Sequence, residues 1–173
     1  MNTVTYLNAS GLRVDGRRPG ETRAIGVSIG TTQGAGGGGV HGRPVDGSAY
    51  LEMGNTKVLA CVYGPSEIAG AQKFDAPRDR AILLCRYTTA PFARSAHRRQ
   101  RRGDKRAVAA ASTLQKAFEA TVQLGLYPNS QIEIAVQVLQ ADGGELAACV
   151  NAATLALIDA GIGMDDFLGG FGC

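Results

Sequence analysis

The 173-residue chain has no tryptophan, two histidines, four cysteines and only 6% aromatic residues. These scarcities exclude several classes. Cys61, Cys85, Cys149 and Cys173 are scattered without a close pair, and His41 and His97 do not complete a zinc-ligand spacing. No apolar run approaches the ~18 residues that a membrane-spanning helix needs. Met1 to Ser10 lacks the basic start and apolar core of a secretory signal. The expectation is therefore a non-membrane, intracellular protein with reduced thiols, Cys61 and Cys149 being small buried residues within apolar runs. No metal or cofactor is expected.

What is present suits one globular domain. Hydrophobic residues make up 45% of the chain, and a domain of this size buries roughly 70% of its unfolded surface. Net charge is +3, but it is unevenly placed. From Arg94 to Arg106 there are seven cations (Arg94, Arg98, Arg99, Arg101, Arg102, Lys105, Arg106) against Asp104 alone, a local +6 that leaves the rest of the chain at −3. Such a block points to polyanions, phosphate backbones first, or else to a solvated loop. Phe92 is the one aromatic residue nearby, so base stacking is not indicated. Glycine is abundant at 24 residues, seven of them between Gly34 and Gly47. Four consecutive glycines with no Lys-Ser/Thr and helix behind them exclude a P-loop, so residues 33–44 read as a flexible insertion between strands.

Hydrophobic periodicity supplies the element order. Ile25, Val27 and Ile29 alternate as in a half-buried strand. Ala49–Met53 and Lys57–Tyr63 form a hairpin across Gly54-Asn55-Thr56, and Ala81–Thr89 is a further strand. Val108, Ala111, Leu114, Gln115, Phe118 and Val122 keep helical spacing, with Asp104 or Gly103 at the start and Gly125 and Pro128 as the stop. Ile132, Ile134, Val136 and Val138 alternate again. Asp142-Gly143-Gly144 is a turn, and Glu145–Ala160 is a helix so apolar that it must be buried on most sides. A last apolar stretch, with the solvated turn Asp165-Asp166, could add a strand. Strands, helix, strand, helix predict an α+β domain with helices on one face of a mixed sheet. No internal repeat or domain boundary interrupts it.

Three segments carry a family resemblance. They are Arg13-Val14-Asp15-Gly16-Arg17-Arg18, the stretch Asp46 to Ala60, and Gln140-Ala141-Asp142-Gly143-Gly144 continuing through Asn151 to Gly161. Together, from about Gly11 to Phe167, they resemble the ribonuclease PH family, and within it the ring subunits of the eukaryotic RNA exosome. The resemblance implies a ribosomal protein S5 domain 2-like fold over residues 11–173, behind an N-terminal arm of residues 1–10. It also implies a six-membered ring of such subunits, with S1/KH cap proteins and RNA as partners. A nuclear, nucleolar and cytoplasmic location follows from the same resemblance. The first segment reads as an ion-paired turn that fixes the arm rather than as a site.

Two functions are open within that family. Active relatives cleave RNA from its 3′ end with inorganic phosphate as nucleophile; most eukaryotic rings have lost this chemistry and conduct RNA. Phosphorolysis brings two anions together and needs positive compensation. Active relatives supply it partly by a Thr-Arg pair directly after Asp-Gly-Gly, where this chain has Glu145 and Leu146. Leu146 provides no anion clamp, and Glu145 has a structural explanation as the acid that complements a helix N-terminus. The resemblance also places the catalytic aspartates beyond Cys173, and the ending suggests a fragment or truncated product. The expectation is a non-catalytic RNA-binding ring subunit supporting rRNA maturation and mRNA turnover. The alternative is a phosphate-dependent 3′–5′ exoribonuclease completed by a ring partner. By position in the family, Lys105 and Arg106 face the RNA channel, Arg106 also matching an arginine used for phosphate. Arg98, Arg99, Arg101 and Arg102 lie on the loop just before; all six would meet RNA phosphates without sequence preference. A nuclear localisation signal is the competing reading of the same run.

Overall fold

The computed structural model describes residues 8, 10–13, 15–32, 44–68, 78–94 and 104–172. The glycine-rich insertion, apart from Pro44, and Arg98, Arg99, Arg101 and Arg102 lie outside the described residues, as does Cys173. Strands β1 (Ile25–Ile29), β2 (Gly47–Met53), β3 (Thr56–Glu67) and β4 (Ile82–Thr89) precede helix α1 (Lys105–Glu119). A single 3-10 turn (Leu124–Leu126), strand β5 (Ser130–Gln140) and helix α2 (Glu145–Asp159) follow. They form one five-stranded sheet in the order β1-β2-β3-β5-β4. All neighbours are antiparallel except β4 and β5, which run parallel. Parallel neighbours require a crossover, and α1 provides it.

Alternation decides which face is covered. Ala49, Leu51, Val58, Ala60, Val62, Leu83, Ile132, Ile134, Val136 and Val138 are buried in one cluster. Leu114 and Phe118 of α1 join it, with Ala148, Cys149, Ala152, Ala153, Ala156 and Leu157 of α2. Both helices thus lie on one face of a mixed sheet, as the pattern predicts; α1 packs on β4, and α2 on β2 and β3. Cys61, Tyr63 and Ala135 form a small cluster on the opposite face. Cys61 and Cys149 are buried as expected, and the three described cysteines are free.

Four expectations change. β1 is exposed at all five residues rather than half-buried. Its register sets Ile25, Val27 and Ile29 opposite Met53, Leu51 and Ala49, but it is the sheet edge, and α2 covers mainly β2 and β3. β3 continues to Glu67 because β5 pairs with it as far as Ser130. Val108 is exposed, since six residues turn a helix by roughly 600° and place it away from Leu114. The residues after Ile162 form no strand; they make one bridge, Val122 to Met164, and then run beside α2. There the Thr154 hydroxyl donates to the Leu168 carbonyl (2.8 Å), and the Asn151 side chain pairs with the Gly170 backbone in both directions.

Two glycine-containing motifs have clear structural work. A Cβ on Gly47 would lie 2.4 Å from both the Ala156 carbonyl oxygen and the Ala160 nitrogen, so glycine lets the end of α2 rest on the β2 backbone. The Gly54-Asn55 hairpin and the Asp142-Gly143-Gly144 turn hold each other. Asn55 Nδ2 donates to Asp142 Oδ2 (3.1 Å), Thr56 Oγ1 donates to the Gly143 carbonyl (2.8 Å) and accepts from the Asp142 N–H (3.1 Å). Arg23 Nη1 adds bonds to the Asp142 and Gly143 carbonyls. Gly143 and Gly144 take positive φ, which glycine adopts without strain. The start of α2 is thereby fixed to the sheet. In the N-terminal segment Asp15 and Arg17 do form an ion-paired turn at 2.6 Å.

Candidate functional site

A cleft of about 550 Å³ opens where β4 ends and both helices begin. Tyr87 and Thr89 come from the end of β4, Pro91 and Arg94 from the turn after it, Asp104 from the N-cap of α1, Arg106 and Thr113 from α1 itself, and Glu145 and Leu146 from the first turn of α2. The positive ends of two helix dipoles therefore lie along its wall, an environment that favours an anion.

The chain supplies an anion itself. Arg94 Nη2 lies 2.7 Å from Glu145 Oε2 and 2.9 Å from Oε1, and the Tyr87 hydroxyl donates to Oε2 at 3.2 Å. Glu145 is mostly shielded while Arg94 is about half exposed. The hydrogen bonds to Glu145, then its charge, hold the Arg94 guanidinium above its ordinary value. Tyr87 is pushed up to about 12, chiefly by burial. Glu145 is both the dipole-complementing acid that sequence suggests and the partner of a cation 51 residues away.

Of the six residues read from sequence as RNA contacts, Lys105 and Arg106 are described, both exposed in the first turn of α1. Arg106 lines the cleft; Lys105 is adjacent but not in its wall. Asp104 is the N-cap, its Oδ1 accepting from the backbone N–H of Arg106 at 3.2 Å. That bond leaves both basic side chains uninvolved in capping, and among the described residues neither forms an ion pair. In the sequence Arg94 stands out only by its charge, as the first cation of the basic block. The structure gives it a specific place, which an Arg-Glu pair so distant in sequence has no local pattern to announce. Asp165 and Asp166 are exposed, Asp165 accepting from Gln123 Nε2, away from the cleft.

Beneath the site lie groups held neutral by burial. Cys149 is pushed up to about 12 by burial and then by the Glu145 charge, and Cys85 to about 12 by burial and then by Glu119. Their contribution has a definite sign. Above about pH 9 the thiols ionise in the unfolded chain but stay protonated in the folded one, so the folded state binds more protons and stability falls with rising pH. The melting temperature should hold steady to about pH 9 and decline towards pH 11, with Cys149→Ala showing a shallower decline in the same thermal scans. An equal decline in that variant would remove Cys149 from the account.

Comparison with known proteins matches residues 21–163 to the 3′ exoribonuclease family, domain 1. The chain is 49% identical over 168 residues to the human exosome complex component RRP41, covering 97% of this chain and 64% of that protein. Against the Arabidopsis thaliana RRP41 homolog it is 47% identical over 163 residues, 94% of this chain and 63% of that one. Against Archaeoglobus fulgidus exosome complex component Rrp41 it is 42% identical over 159 residues, 91% of this chain and 56% of that protein. The chain thus spans less than two thirds of the length of these relatives. Among solved structures, rice Rrp46 superimposes with a TM-score of 0.72 at 24% identity, over 90% of this chain and 64% of that one, a likeness of fold.

Proposed function

Because the chain belongs to the 3′ exoribonuclease family, we propose that it serves as an RNA-binding ring subunit of the exosome, without phosphorolysis of its own. Its partners in this reading are other ribonuclease PH-like ring subunits, S1/KH cap subunits and the RNA that passes between them. The work is 3′–5′ RNA processing and degradation, in rRNA maturation and mRNA turnover, in the nucleus, nucleolus and cytoplasm. Identities of 42–49% to exosome components support the assembly.

The observation that carries the non-catalytic part is the Glu145 carboxylate, held by Arg94 in the cleft. An attacking phosphate would enter against a resident negative charge, and like charges at ~4 Å cost on the order of 1–4 kcal/mol in surroundings between water and a protein surface. The arginine that could clamp it is already engaged on two nitrogen-oxygen contacts, and Leu146 adds no cation. Arg106 and Lys105 remain available, and their chemistry suits phosphates of a passing strand.

The test is purification of the tagged chain in its native particle, followed by incubation with single-stranded RNA and inorganic phosphate. Co-purification of ribonuclease PH-like and S1/KH proteins, with no phosphate-dependent release of nucleoside diphosphates assignable to this chain, is the expected result. To assign activity, the particle is compared with one carrying Glu145→Thr and Leu146→Arg. Phosphate-dependent release that this chain's cleft variants alter from the unsubstituted level, present already before substitution, would install the phosphorolytic alternative. A lone monomer would remove the ring assignment.

A further inference from the structure

We propose that Phe92 is a stacking platform for one base of a single-stranded RNA whose phosphates lie on Arg106 and Lys105. This inference rests on the RNA-binding reading and adds to it a contact made through a base rather than the backbone. The turn after β4 carries the argument. The Ala90 N–H donates to the Val138 carbonyl (2.9 Å), the Ala93 N–H to the Ala90 carbonyl (2.9 Å), and the Ala141 N–H to the Ala93 carbonyl (3.0 Å). Both ends of the turn are thus tied to the end of β5. Within it the small residues point in and the large one out: Ala90 and Ala93 are 3% and 4% exposed, Phe92 65%. The hydrophobic effect alone would reverse that arrangement. Pro91 limits the backbone further, so the turn that carries the ring has little backbone freedom left to lose on binding.

The surroundings select the occupant. Pro91 and Arg94, on either side of Phe92 in sequence, both line the cleft. Arg94 is committed to Glu145, while Arg106 in the same wall has no ion-pair partner among the described residues. Phe92 itself lies outside the cleft wall, between two residues that line it, so a ligand that covers the exposed ring and also reaches Arg106 must carry a flat apolar face and negative charge along one chain. Single-stranded RNA has both, and stacking on an aromatic ring tolerates any base because each has a π face. A neighbouring protein's apolar side chain would cover the ring but leave the cations without anions.

Two fluorescent ligands of equal length separate the terms: oligouridylate, and its abasic ribose-phosphate counterpart. Phe92→Ala should weaken oligouridylate binding by about 5- to 100-fold and leave the abasic oligomer unchanged. Phe92→Leu keeps an apolar side chain without a π face and should lose nearly as much, whereas Phe92→Tyr should restore wild-type affinity. Unchanged oligouridylate affinity in Phe92→Ala, or equal losses on both oligomers, would overturn the platform. So would normal RNA affinity with failed co-purification of ring subunits, which would assign the ring to a protein contact. If the unsubstituted chain in its particle bound neither oligomer, the RNA-binding reading itself would fall, an outcome recognisable without any Phe92 variant.

Discussion

Phe118→Ala should lower unfolding free energy by about 3–5 kcal/mol, the range for removing a fully buried phenylalanine and leaving a cavity. Phe118 is wholly buried in the common core with Leu114, and these are the two buried side chains through which α1 is anchored. Domains are stable by roughly 5–15 kcal/mol, so this change would consume a large fraction. Urea denaturation followed by circular dichroism reads the effect as a lower midpoint with an unchanged slope. A loss below about 1 kcal/mol would mean that the surrounding side chains collapse into the space and that α1 is held mainly by other contacts. The consequence reaches the cleft, because the helix that Phe118 anchors also carries Lys105, Arg106 and Thr113.

The second large effect should come from Lys105→Ala combined with Arg106→Ala, measured as RNA affinity across a salt series. Each lost phosphate contact on a single strand reduces the slope of log affinity against log salt by about 0.7, so the pair should flatten it by about 1.4. At low salt this should be a loss of about 10- to 100-fold, similar for oligomers of different sequence because the contacts are to phosphates. Stability should hardly change. The capping bond at the start of α1 runs from the backbone N–H of Arg106 to Asp104, and alanine keeps that N–H. A thermal scan of the double variant is therefore the control. An unaltered salt slope would take both residues out of the RNA path.

Much of the architecture was legible because it follows from short-range patterns. The strict alternation from Ile132 to Val138 fixed a central strand, and Gly54-Asn55 between two apolar runs fixed a hairpin. Asp104 ahead of Leu114 and Phe118 marked a capped amphipathic helix. The departures come from neighbours that periodicity does not encode. The alternation of Ile25, Val27 and Ile29 is real, but whether a face is covered depends on how far α2 extends across the sheet. The apolar stretch after Gly161 makes one bridge, to Val122, and beyond it Leu168 and Gly170 bond to Thr154 and Asn151 instead of a strand partner.

The candidate site divides in the same way. Lys105 and Arg106 announce themselves by charge density, and Glu145 by its place after Asp-Gly-Gly at a helix start. The Arg94–Glu145 pair could not be read, since its members meet only after β4, α1, β5 and the Asp142 turn are all in place. The one available signal was chemical: an acid beside a buried helix start calls for a cation, and the nearest dense supply was the block beginning at Arg94. Phe92 shows the opposite limit. Its isolation among basic residues argued against stacking, whereas its orientation on a tied turn restores that possibility as a proposal.

The connection between β4 and α1 is anchored independently at its two ends, by the Ala93 carbonyl on the β5 side and by the Asp104 cap on the helix side. Both fastenings, along with Tyr87, Arg94 and Glu145, lie outside residues 95–103. Five cations, counting from Arg98 through Lys105, stand on or next to this stretch. In the proposed RNA-binding role, the strength of the grip on a polyanion would be set largely by this connector, and the cleft walls by residues outside it. On that proposal, grip and architecture would be separable traits, inherited through different parts of the chain.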